Sequence, residues 1–437
     1  MTEQMNVPKL RFSEFDSQWK QIPLGEVTSY LKGFAFKSED YLSNGQADSR
    51  LIRVSDLSSA SVKLDNQKVF LPPELMESSA RYKLNDDDIL ITTVGSKPEL
   101  RESAVGRAIY INKAHGYLNQ NLLIMRTKGE QSPTFIFSQL NTPRYINHIT
   151  NIQRGNANQS NITVVDLFEY RVSTTSLPEQ QKIASFLSKV DEKITLLTEK
   201  KAKLTEYKKG VMQQLFDGKW QEQDGQLTFI PPTLRFKADD GSEFPDWEIN
   251  KLGTRTKKVG SGATPRGGEK AYSSDGVPFI RSQNVNNNKL LLDEIRFIPE
   301  HTDASMKRSR VEANDILLNI TGASIGRSCV VPSDFVKGNL NQHVCIIRLV
   351  ADNPHFVQSY LASYFGEKLI FQGMAGGGRE GLNFESIKGF KLPFPSLGEQ
   401  NKIANFLSAL DQKIDLANSE LEKAKEWKKG LLQQMFV

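Results

Sequence analysis

Hydrophobic and polar residues follow two different rhythms along the chain. In 179–216 and 399–436 the apolar residues recur in alternating steps of three and four, which predicts two long helices with coiled-coil seams. The predicted seam residues are Ile183, Leu187, Val190, Ile194, Leu197, Leu204, Val211 and Leu215 in the first helix, and Ile403, Leu407, Leu410, Ile414, Ala417, Leu421, Ala424, Leu431 and Met435 in the second. At 1.5 Å per residue each helix is a rod of roughly 57 Å.

The two helical segments are copies of each other. They align at an offset of 220 without a gap, and 20 of their 38 positions are identical. The stretches that precede them match more loosely, in five pairs of blocks: PKLRF (8–12) with PTLRF (232–236), LIRVSDL (51–57) with FIRSQNV (279–285), DDILITTVGS (87–96) with NDILLNITGAS (314–324), VGR (105–107) with IGR (325–327), and GYLNQNLLIMR (116–126) with GNLNQHVCIIR (338–348). The chain is therefore an internal duplication.

The stretches between the helices consist of short β-like runs bounded by Gly, Asn or Asp. Helices are predicted at 134–150 and at the matching 355–372, so each stretch is an α+β domain rich in loops. We predict domains at 1–177 and 218–395, and long helices at 178–217 and 396–437.

Each chain carries two matched seams with a whole globular domain between them. Intramolecular antiparallel pairing of the two helices is the simplest way to bury both seams, and a coiled coil between two chains is the alternative. Lys208 and Lys428 interrupt the seam at matching positions. They either fix the register of the pair or mark a place where the helices splay.

The sequence lacks the common signatures of catalysis. It contains no GxxxxGK[ST] phosphate loop, no aromatic NPP or DPP motif of adenine methyltransferases, and no zinc spacing among five histidines and two cysteines. The Asp-x-Lys pairs at Asp191 and Asp411 resemble half of a nuclease site, but on these helices we interpret them as solvated flanks. His343 and Cys345 are interpreted as packing residues. We therefore predict no catalytic residue and no metal site.

Composition adds limits on location and partners. A hydrophobic fraction of 38% without a membrane-length apolar run predicts a soluble protein, and two cysteines agree with a reducing compartment. The first residues lack the apolar core of a signal peptide, so we expect a cytoplasmic location. The net charge of +5 does not by itself indicate nucleic acid.

Local clusters of basic and polar residues are better candidates for DNA contact. Basic residues dominate 251–270, where the GSGATPRGG loop exposes backbone N–H groups that phosphates can meet, and 306–310 is a second cluster. The candidate DNA-contacting residues are Arg53, Ser55, Lys97, Arg107, Arg154 and Asn156 in the first domain, and Lys257, Lys258, Thr264, Arg266, Arg281, Gln283, Asn284, Arg327 and Arg379 in the second.

The matched LIRVSD and FIRSQN blocks place polar residues directly after an apolar strand. Arg281 suits guanine, and Gln283 and Asn284 suit adenine. The first domain keeps an arginine, Arg53, but has Ser55 and Asp56 in the other two slots. This is the pattern of two related domains that read different bases. The alternative is that Arg53 and Arg281 form internal ion pairs and the rest is turn chemistry. The LNQ slots, identical in both copies, look like scaffold.

With these residues in view, the chain resembles the specificity (S) subunit of Type I restriction–modification enzymes. The paired EQ-x-KIA-x-FLS…KKG-x-x-QQ-x-F segments, NDILLNITGASIGR and GNLNQH carry the resemblance, which covers essentially the whole chain. It implies two target-recognition domains held apart by an antiparallel coiled coil, each reading one part of a split site in double-stranded DNA. The first domain departs from the pattern, since TTVGSKPELRESAVGR contains an insertion where the second has ITGASIGR.

The resemblance also implies partners and cofactors. Two modification subunits would supply S-adenosylmethionine-dependent adenine methylation, and two restriction subunits would supply ATP- and magnesium-dependent translocation and cleavage. The chain itself would bind no cofactor and catalyse nothing. The alternatives are a self-contained DNA methyltransferase or nuclease with an unrecognised site, and a coiled-coil scaffold without a nucleic-acid role.

Overall fold

The computed structural model describes residues 7–436 except 59–60, 64–65, 98–103, 156–158, 224–225, 266, 287 and 375–380. The chain forms two compact units, Met1–Thr198 with Ser419–Val437, and Glu199–Asn418. Each long helix therefore contributes one part to each unit. In the described part of the chain, no helix combines the length and the apolar character that a membrane span requires.

The first unit begins with a mixture of short strands and helices and ends with a long helix. Its elements are β1 (Lys20–Pro23), α1 (Leu24–Val27), β2 (Thr28–Lys32), β3 (Arg50–Ile52), β4 (Val69–Phe70), α2 (Pro73–Ser78), β5 (Ile89–Thr92), β6 (Val94–Gly95), β7 (Ala108–Tyr110), β8 (Tyr117–Leu118), β9 (Leu122–Thr127), α3 (Pro133–Gln139), α4 (Pro143–Ile152), β10 (Arg154–Gly155), β11 (Ser160–Asn161), α5 (Val164–Phe168), β12 (Arg171–Thr174) and α6 (Leu177–Phe216), which continues into the second unit.

The second unit follows the same plan after an added hairpin. Its elements are β13 (Lys219–Gln223), β14 (Gln226–Ile230), β15 (Glu248–Lys251), β16 (Thr256–Ser261), β17 (Val277–Ile280), β18 (Val285–Asn286), β19 (Lys289–Leu290), β20 (Arg296–Ile298), α7 (Glu300–Ser305), β21 (Arg310–Val311), β22 (Ile316–Asn319), β23 (Ser328–Val330), β24 (Gly338–Leu340), β25 (Val344–Leu349), α8 (Pro354–Leu361), α9 (Tyr364–Met374), α10 (Phe384–Gly389), β26 (Lys391–Phe394) and α11 (Leu397–Met435), which continues into the first unit.

Each unit is built on one antiparallel sheet of four strands, in the order β2–β9–β5–β7 in the first unit and β16–β25–β22–β23 in the second. A second sheet contains a parallel pair, β3 with β8 and β17 with β24. The matching strand orders confirm the internal duplication and the predicted α+β class.

The central strand of each main sheet is buried on both faces, which explains its continuous apolar run. In β5, Ile89 and Ile91 enter one hydrophobic core, whereas Leu90 enters another. In β22, Ile316 and Leu318 face one core and Leu317 faces the other. Alternate side chains of a strand point to opposite faces, so a single strand joins the two cores of its unit.

The helices predicted at 134–150 and 355–372 are each two helices, so this prediction was wrong in detail. Pro143 occupies the first turn of α4, and Thr142 caps that helix by accepting a hydrogen bond from Tyr145 N. Because proline lacks the N–H that would continue the preceding helix, the chain restarts there. In the second unit, Ser363 accepts a hydrogen bond from Gly366 N at the corresponding break.

The two long helices pair with each other in each unit. In the first unit, the start of α6 packs against the end of α11: Ile183 and Leu187 share a core with Leu431 and Met435. In the second unit, Leu215 of α6 shares a core with residues near the start of α11. Early residues of one helix meet late residues of the other, so the pairing is antiparallel and lies within one chain, as predicted. All predicted seam residues are buried or half-buried.

The lysines that interrupt the seam each bind an aspartate of the opposite helix. Lys208 Nζ lies 2.6 Å from Asp411 Oδ1 in the second unit, and Lys428 Nζ lies 2.5 Å from Asp191 Oδ1 in the first. The two pairs are related by the same offset of 220 that relates the helices. Asp191 and Asp411, which we interpreted as solvated flanks, are half-exposed, and each carboxylate also binds a lysine of the opposite helix.

Candidate nucleic-acid interface

Four segments of the second unit meet at the ends of its strands. Asn341 N donates to Ile280 O over 3.0 Å, and Ala263 N donates to Leu340 O over 3.2 Å. These bonds place the turn after β17 and the loop after β16 on either side of the end of β24. We call residues 262–264, 281–284, 319–321 and 341–343 the second loop edge.

The remaining segments of the second loop edge are tied in by side chains. Asn319 Nδ2 donates to Ser282 O over 2.9 Å, so the end of β22 holds the turn that follows β17. Thr321 Oγ1 lies 2.7 Å from His343 Nδ1, and Ile320 N donates to His343 O. Polar residues from four separated blocks of sequence are thereby held in one place.

The first unit repeats this arrangement. Asn119 N donates to Ile52 O over 3.1 Å, and Phe34 N donates to Leu118 O over 3.1 Å. Thr93 N donates to Asn121 O over 3.0 Å, which joins the end of β5 to the same place. Residues 33–35, 53–56, 92–94 and 119–121 form the first loop edge.

In each loop edge, a glycine lies where the loop backbone closely approaches the backbone at the end of a neighbouring strand. A Cβ atom on Gly262 would lie 1.7 Å from Leu340 O, and one on Gly33 would lie 2.0 Å from Asn119 O. No side chain fits at such distances, so only glycine lets these loops reach the strand ends.

Buried polar atoms without a partner are found at both loop edges. Within the described residues, Thr93 Oγ1 and Gln120 Oε1 in the first unit, and Asn319 Oδ1 and Arg281 Nε in the second, are buried and make no hydrogen bond. Leaving such groups unsatisfied costs free energy, and a native structure keeps them where a ligand or water completes them. Two further atoms of this kind, Arg50 Nε and Gln153 Oε1, lie outside the loop edges, so these atoms alone do not mark a binding surface.

At the first loop edge, the internal ion pair that was the alternative interpretation of Arg53 is present. Arg53 Nε lies 2.9 Å from Asp56 Oδ2, and its Nη2 also donates to Gln67 O. The hydrogen bond with Asp56 raises the pKa of Arg53 above its ordinary value. Ser55 is exposed beside this pair.

At the second loop edge, the prediction that Asn284 reads a base is wrong. Asn284 is 3% exposed; its Oδ1 accepts from Arg281 N, and its Nδ2 donates to Leu291 O. Both ends of the amide are used inside the protein. Gln283 and Thr264 are exposed, and Arg281 is half-buried.

Within the LNQ blocks, the asparagines have the expected scaffold role. Asn119 and Asn341 are buried, and their backbone N–H groups hold the neighbouring strand ends. Matched ion pairs to buried carboxylates also support both sheets: Arg126 Nε lies 2.6 Å from Asp88 Oδ1, and Arg348 Nε lies 2.7 Å from Asp315 Oδ1.

Several predicted DNA-contacting residues lie away from the loop edges or are used within the protein. Lys258 lies opposite Arg348 where β16 pairs with β25, near the end of β16 that is farther from the loop edge. Burial, together with the charge of Arg348, lowers the pKa of Lys258. Neighbouring Lys257 is exposed at the same end of the strand. Arg107 donates to Ser58 O over 2.7 Å.

The other basic candidates are surface residues. Arg154 is exposed and forms an ion pair with Asp166 at 3.0 Å. Lys97 and Arg327 are exposed. Asn156, Arg266 and Arg379 lie outside the described residues.

The described residues include no site for a metal ion. Among these residues, no three His, Cys, Asp or Glu side chains are grouped closely enough to hold one. Cys329 and Cys345 are buried free thiols, and burial raises the pKa of each to about 12. Both are packing residues, as interpreted for Cys345.

Sequence reasoning missed a buried anchor at the start of each long helix. Glu179 accepts hydrogen bonds from Arg11 Nε at 2.7 Å and Trp19 Nε1 at 3.2 Å. Glu399 accepts from Arg235 Nη2 at 2.8 Å and Trp247 Nε1 at 3.0 Å. The signal was present in the matched PKLRF and PTLRF blocks, which carry the two arginines, and in the EQ that opens each helix.

Comparisons with known proteins agree on one family. The model described as "Type I restriction modification DNA specificity domain" matches residues 16–206 and 245–426. The chain is 25% identical to the putative type I restriction enzyme MjaX specificity subunit of Methanocaldococcus jannaschii, covering 99% of this chain and 96% of that relative. It is 24% identical to the type I restriction enzyme EcoBI specificity subunit of Escherichia coli, covering 93% and 82%.

Solved structures share the fold. The crystal structure of the S subunit of a Type I restriction–modification system from M. genitalium aligns with a TM-score of 0.61 at 16% identity, covering 99% of each chain. A chain from a study of complex assembly in a type I R-M system aligns with a TM-score of 0.52 at 14% identity, covering 96% of this chain and 98% of that chain.

Proposed function

We propose that this chain, which belongs to the family of Type I restriction modification DNA specificity domains, recognises a DNA site in two parts through its two loop edges. DNA sequence specificity is the function of the family and of this chain. The finer proposal is that each unit reads one half-site. It rests on the duplicated loop edges, which share a scaffold but carry different side chains.

The observation that carries the proposal is that the two loop edges repeat the same backbone contacts but expose different polar residues. Exposed polar side chains of this kind can donate to and accept from base edges in the major groove. Scaffold contacts repeat between the units, whereas the exposed residues Ser55 and Gln283 differ, as two different half-sites require.

We further propose that the paired helices set the spacer between the half-sites and bind the modification subunits. The antiparallel pairing and the matched Lys–Asp contacts give the helices a fixed register, which a spacer of constant length needs. Two modification subunits and two restriction subunits are the expected partners. They would bring S-adenosylmethionine, ATP and magnesium, while this chain contributes no catalytic group. Such a complex would act on DNA in the cytoplasm.

The test is co-expression of the chain with its candidate modification subunits, followed by sequencing of methylated adenines. We expect a split motif with one methylated adenine in each half and an unspecific spacer. A motif that stays the same when another specificity subunit replaces this chain would contradict the proposal. The alternative of a self-contained methyltransferase or nuclease has no support in the family or its relatives, and the purified chain alone should leave DNA unmodified.

A further inference from the structure

We infer that Arg281 reads a guanine in the half-site of the second unit, whereas its counterpart Arg53 does not contact a base. The inference rests on the proposed function of the loop edges and assigns one base to one side chain. It follows from a difference in the partners of two arginines that otherwise occupy the same place.

The backbone around the two arginines is the same. Arg53 has φ −116° and ψ 166°, and Arg281 has φ −119° and ψ 166°. Each directly follows a buried strand and precedes a short 3₁₀ turn, Val54–Asp56 or Ser282–Asn284. Any functional difference must therefore come from what surrounds the guanidinium.

In the first unit, one edge of the guanidinium is engaged through Nε and Nη2. Asp56 is 0% exposed and binds it through two hydrogen bonds, 2.9 Å to Nε and 3.1 Å to Nη2. Gln67 O takes a further bond from Nη2. This bidentate pair occupies the Nε–Nη2 edge, which is then not available to a guanine. Freeing them would leave the buried carboxylate of Asp56 without its counter-charge, which is costly.

In the second unit the carboxylate is replaced by an amide. Asn284 is bound to the backbone at both ends of its side chain, so it offers Arg281 no acceptor beyond the bond from the Arg281 backbone N–H. Among the described residues, Arg281 forms no ion pair, and its Nε is buried without a hydrogen-bond partner. The Arg281 guanidinium is therefore held at the loop edge without a counter-charge from the described residues.

Guanine suits this guanidinium better than phosphate does. The planar fork of arginine matches O6 and N7 of guanine, the commonest specific contact in the major groove. Arg281 is the one Lys or Arg in the four segments of the second loop edge, and its neighbours are amides, hydroxyls and a histidine. Surfaces that bind phosphates carry several cations, whereas isolated arginines among neutral polar groups suit base edges.

Two substitutions test the assignment in the complex with modification subunits. Asn284→Asp supplies the carboxylate of the first unit at nearly unchanged size, and Arg281→Lys keeps the charge but loses the fork. Sequencing of methylated adenines in a library randomised at both half-sites should show that each variant loses selectivity for guanine at one position, by about 5- to 150-fold. The other half-site should stay unchanged. Arg296→Lys, at an exposed arginine of the second unit outside the loop edge, is the control and should leave every position unchanged.

Other outcomes would overturn the inference. Unchanged selectivity in folded Asn284→Asp and Arg281→Lys proteins would do so, as would a wild-type motif without guanine. Equal weakening on all sequences, with a reduced salt dependence, would assign Arg281 to a phosphate. If Asn284→Asp fails to fold, Arg281→Lys decides. The proposed function fails in a different way, when the wild-type motif does not depend on this chain.

Discussion

Buried charge at single residues holds the long helices to their domains. Glu179 is 0% exposed at the start of α6, where the helix N-terminus favours a negative charge. Burial alone would raise its pKa, but hydrogen bonds from Arg11, Thr175 and Trp19 outweigh burial and lower the pKa below the ordinary value. The carboxylate is therefore charged in the folded state and stabilises it.

We predict that Glu179→Gln lowers the free energy of unfolding by about 3 kcal/mol at neutral pH, because Arg11 loses its buried counter-charge. A lowered pKa in the folded state gives stability that is present above the unfolded pKa of about 4.3 and is lost as the pH falls. The difference between wild type and variant should therefore shrink in acid. Urea denaturation at several pH values measures it. The exposed Glu169→Gln is the control, and an equal effect of both substitutions would refute the role of Glu179.

Glycine is the residue that permits the loop edges to close. We predict that Gly262→Ala destroys recognition of one half-site, because the added Cβ would collide with Leu340 O at 1.7 Å. A Cβ atom on Gly260, two residues earlier in β16, would meet no other atom within 4 Å, so Gly260→Ala should be tolerated. Electrophoretic mobility shift of the assembled complex on its cognate DNA measures the loss. Equal binding by the two variants would show that the close approach is unimportant.

At the scale of elements, periodicity predicted the long helices well because a seam repeated over many turns leaves little ambiguity. The same reasoning missed the break between α3 and α4, where Pro143 and the capping Thr142 act within one turn. It also left open why Lys208 and Lys428 interrupt the seam. Their acceptors, Asp411 and Asp191, come from the other helix, and the sequence does not reveal which residues face each other before the register is known.

We predict that Asp411→Ala lowers the free energy of unfolding by about 1–2 kcal/mol, because it leaves the buried Lys208 ammonium without its partner. Replacing both residues, Lys208→Met with Asp411→Leu, should recover most of that loss, since a paired apolar contact needs no counter-charge. A double-mutant cycle by chemical denaturation measures the coupling. The exposed pair of Lys425 and Glu422 is the control, with an expected coupling below about 0.5 kcal/mol. Zero coupling between Lys208 and Asp411 would remove them as determinants of register.

At the scale of the whole molecule, the sequence predicted the architecture more completely than the interface. Duplication can be seen in the sequence because scaffold residues recur at matching positions. The reading residues cannot be identified in this way, because their role depends on local partners: Asn284 resembles a base reader in sequence but is used to cap its own turn. Arg53 and Arg281 match in sequence and backbone yet differ because Asp56 faces one and Asn284 the other.

In the proposed function, the length of the paired helices sets the spacer between the two half-sites. Deleting 194–200 together with 414–420 removes one heptad from each helix at the matching offset of 220. The double deletion keeps Lys208 opposite Asp411 and Lys428 opposite Asp191 in one common register. A deletion in one helix alone cannot satisfy both pairs, so we expect it to disrupt helix pairing and recognition.

Sequencing of methylated adenines produced by the doubly deleted chain, in complex with its modification subunits, tests the account most directly. A heptad shortens a helix by about 10.5 Å, so the spacer should become shorter by at most about three base pairs. Both half-sites should keep their bases, because neither loop edge is altered. An unchanged spacer, or a change of the recognised bases, would contradict the account.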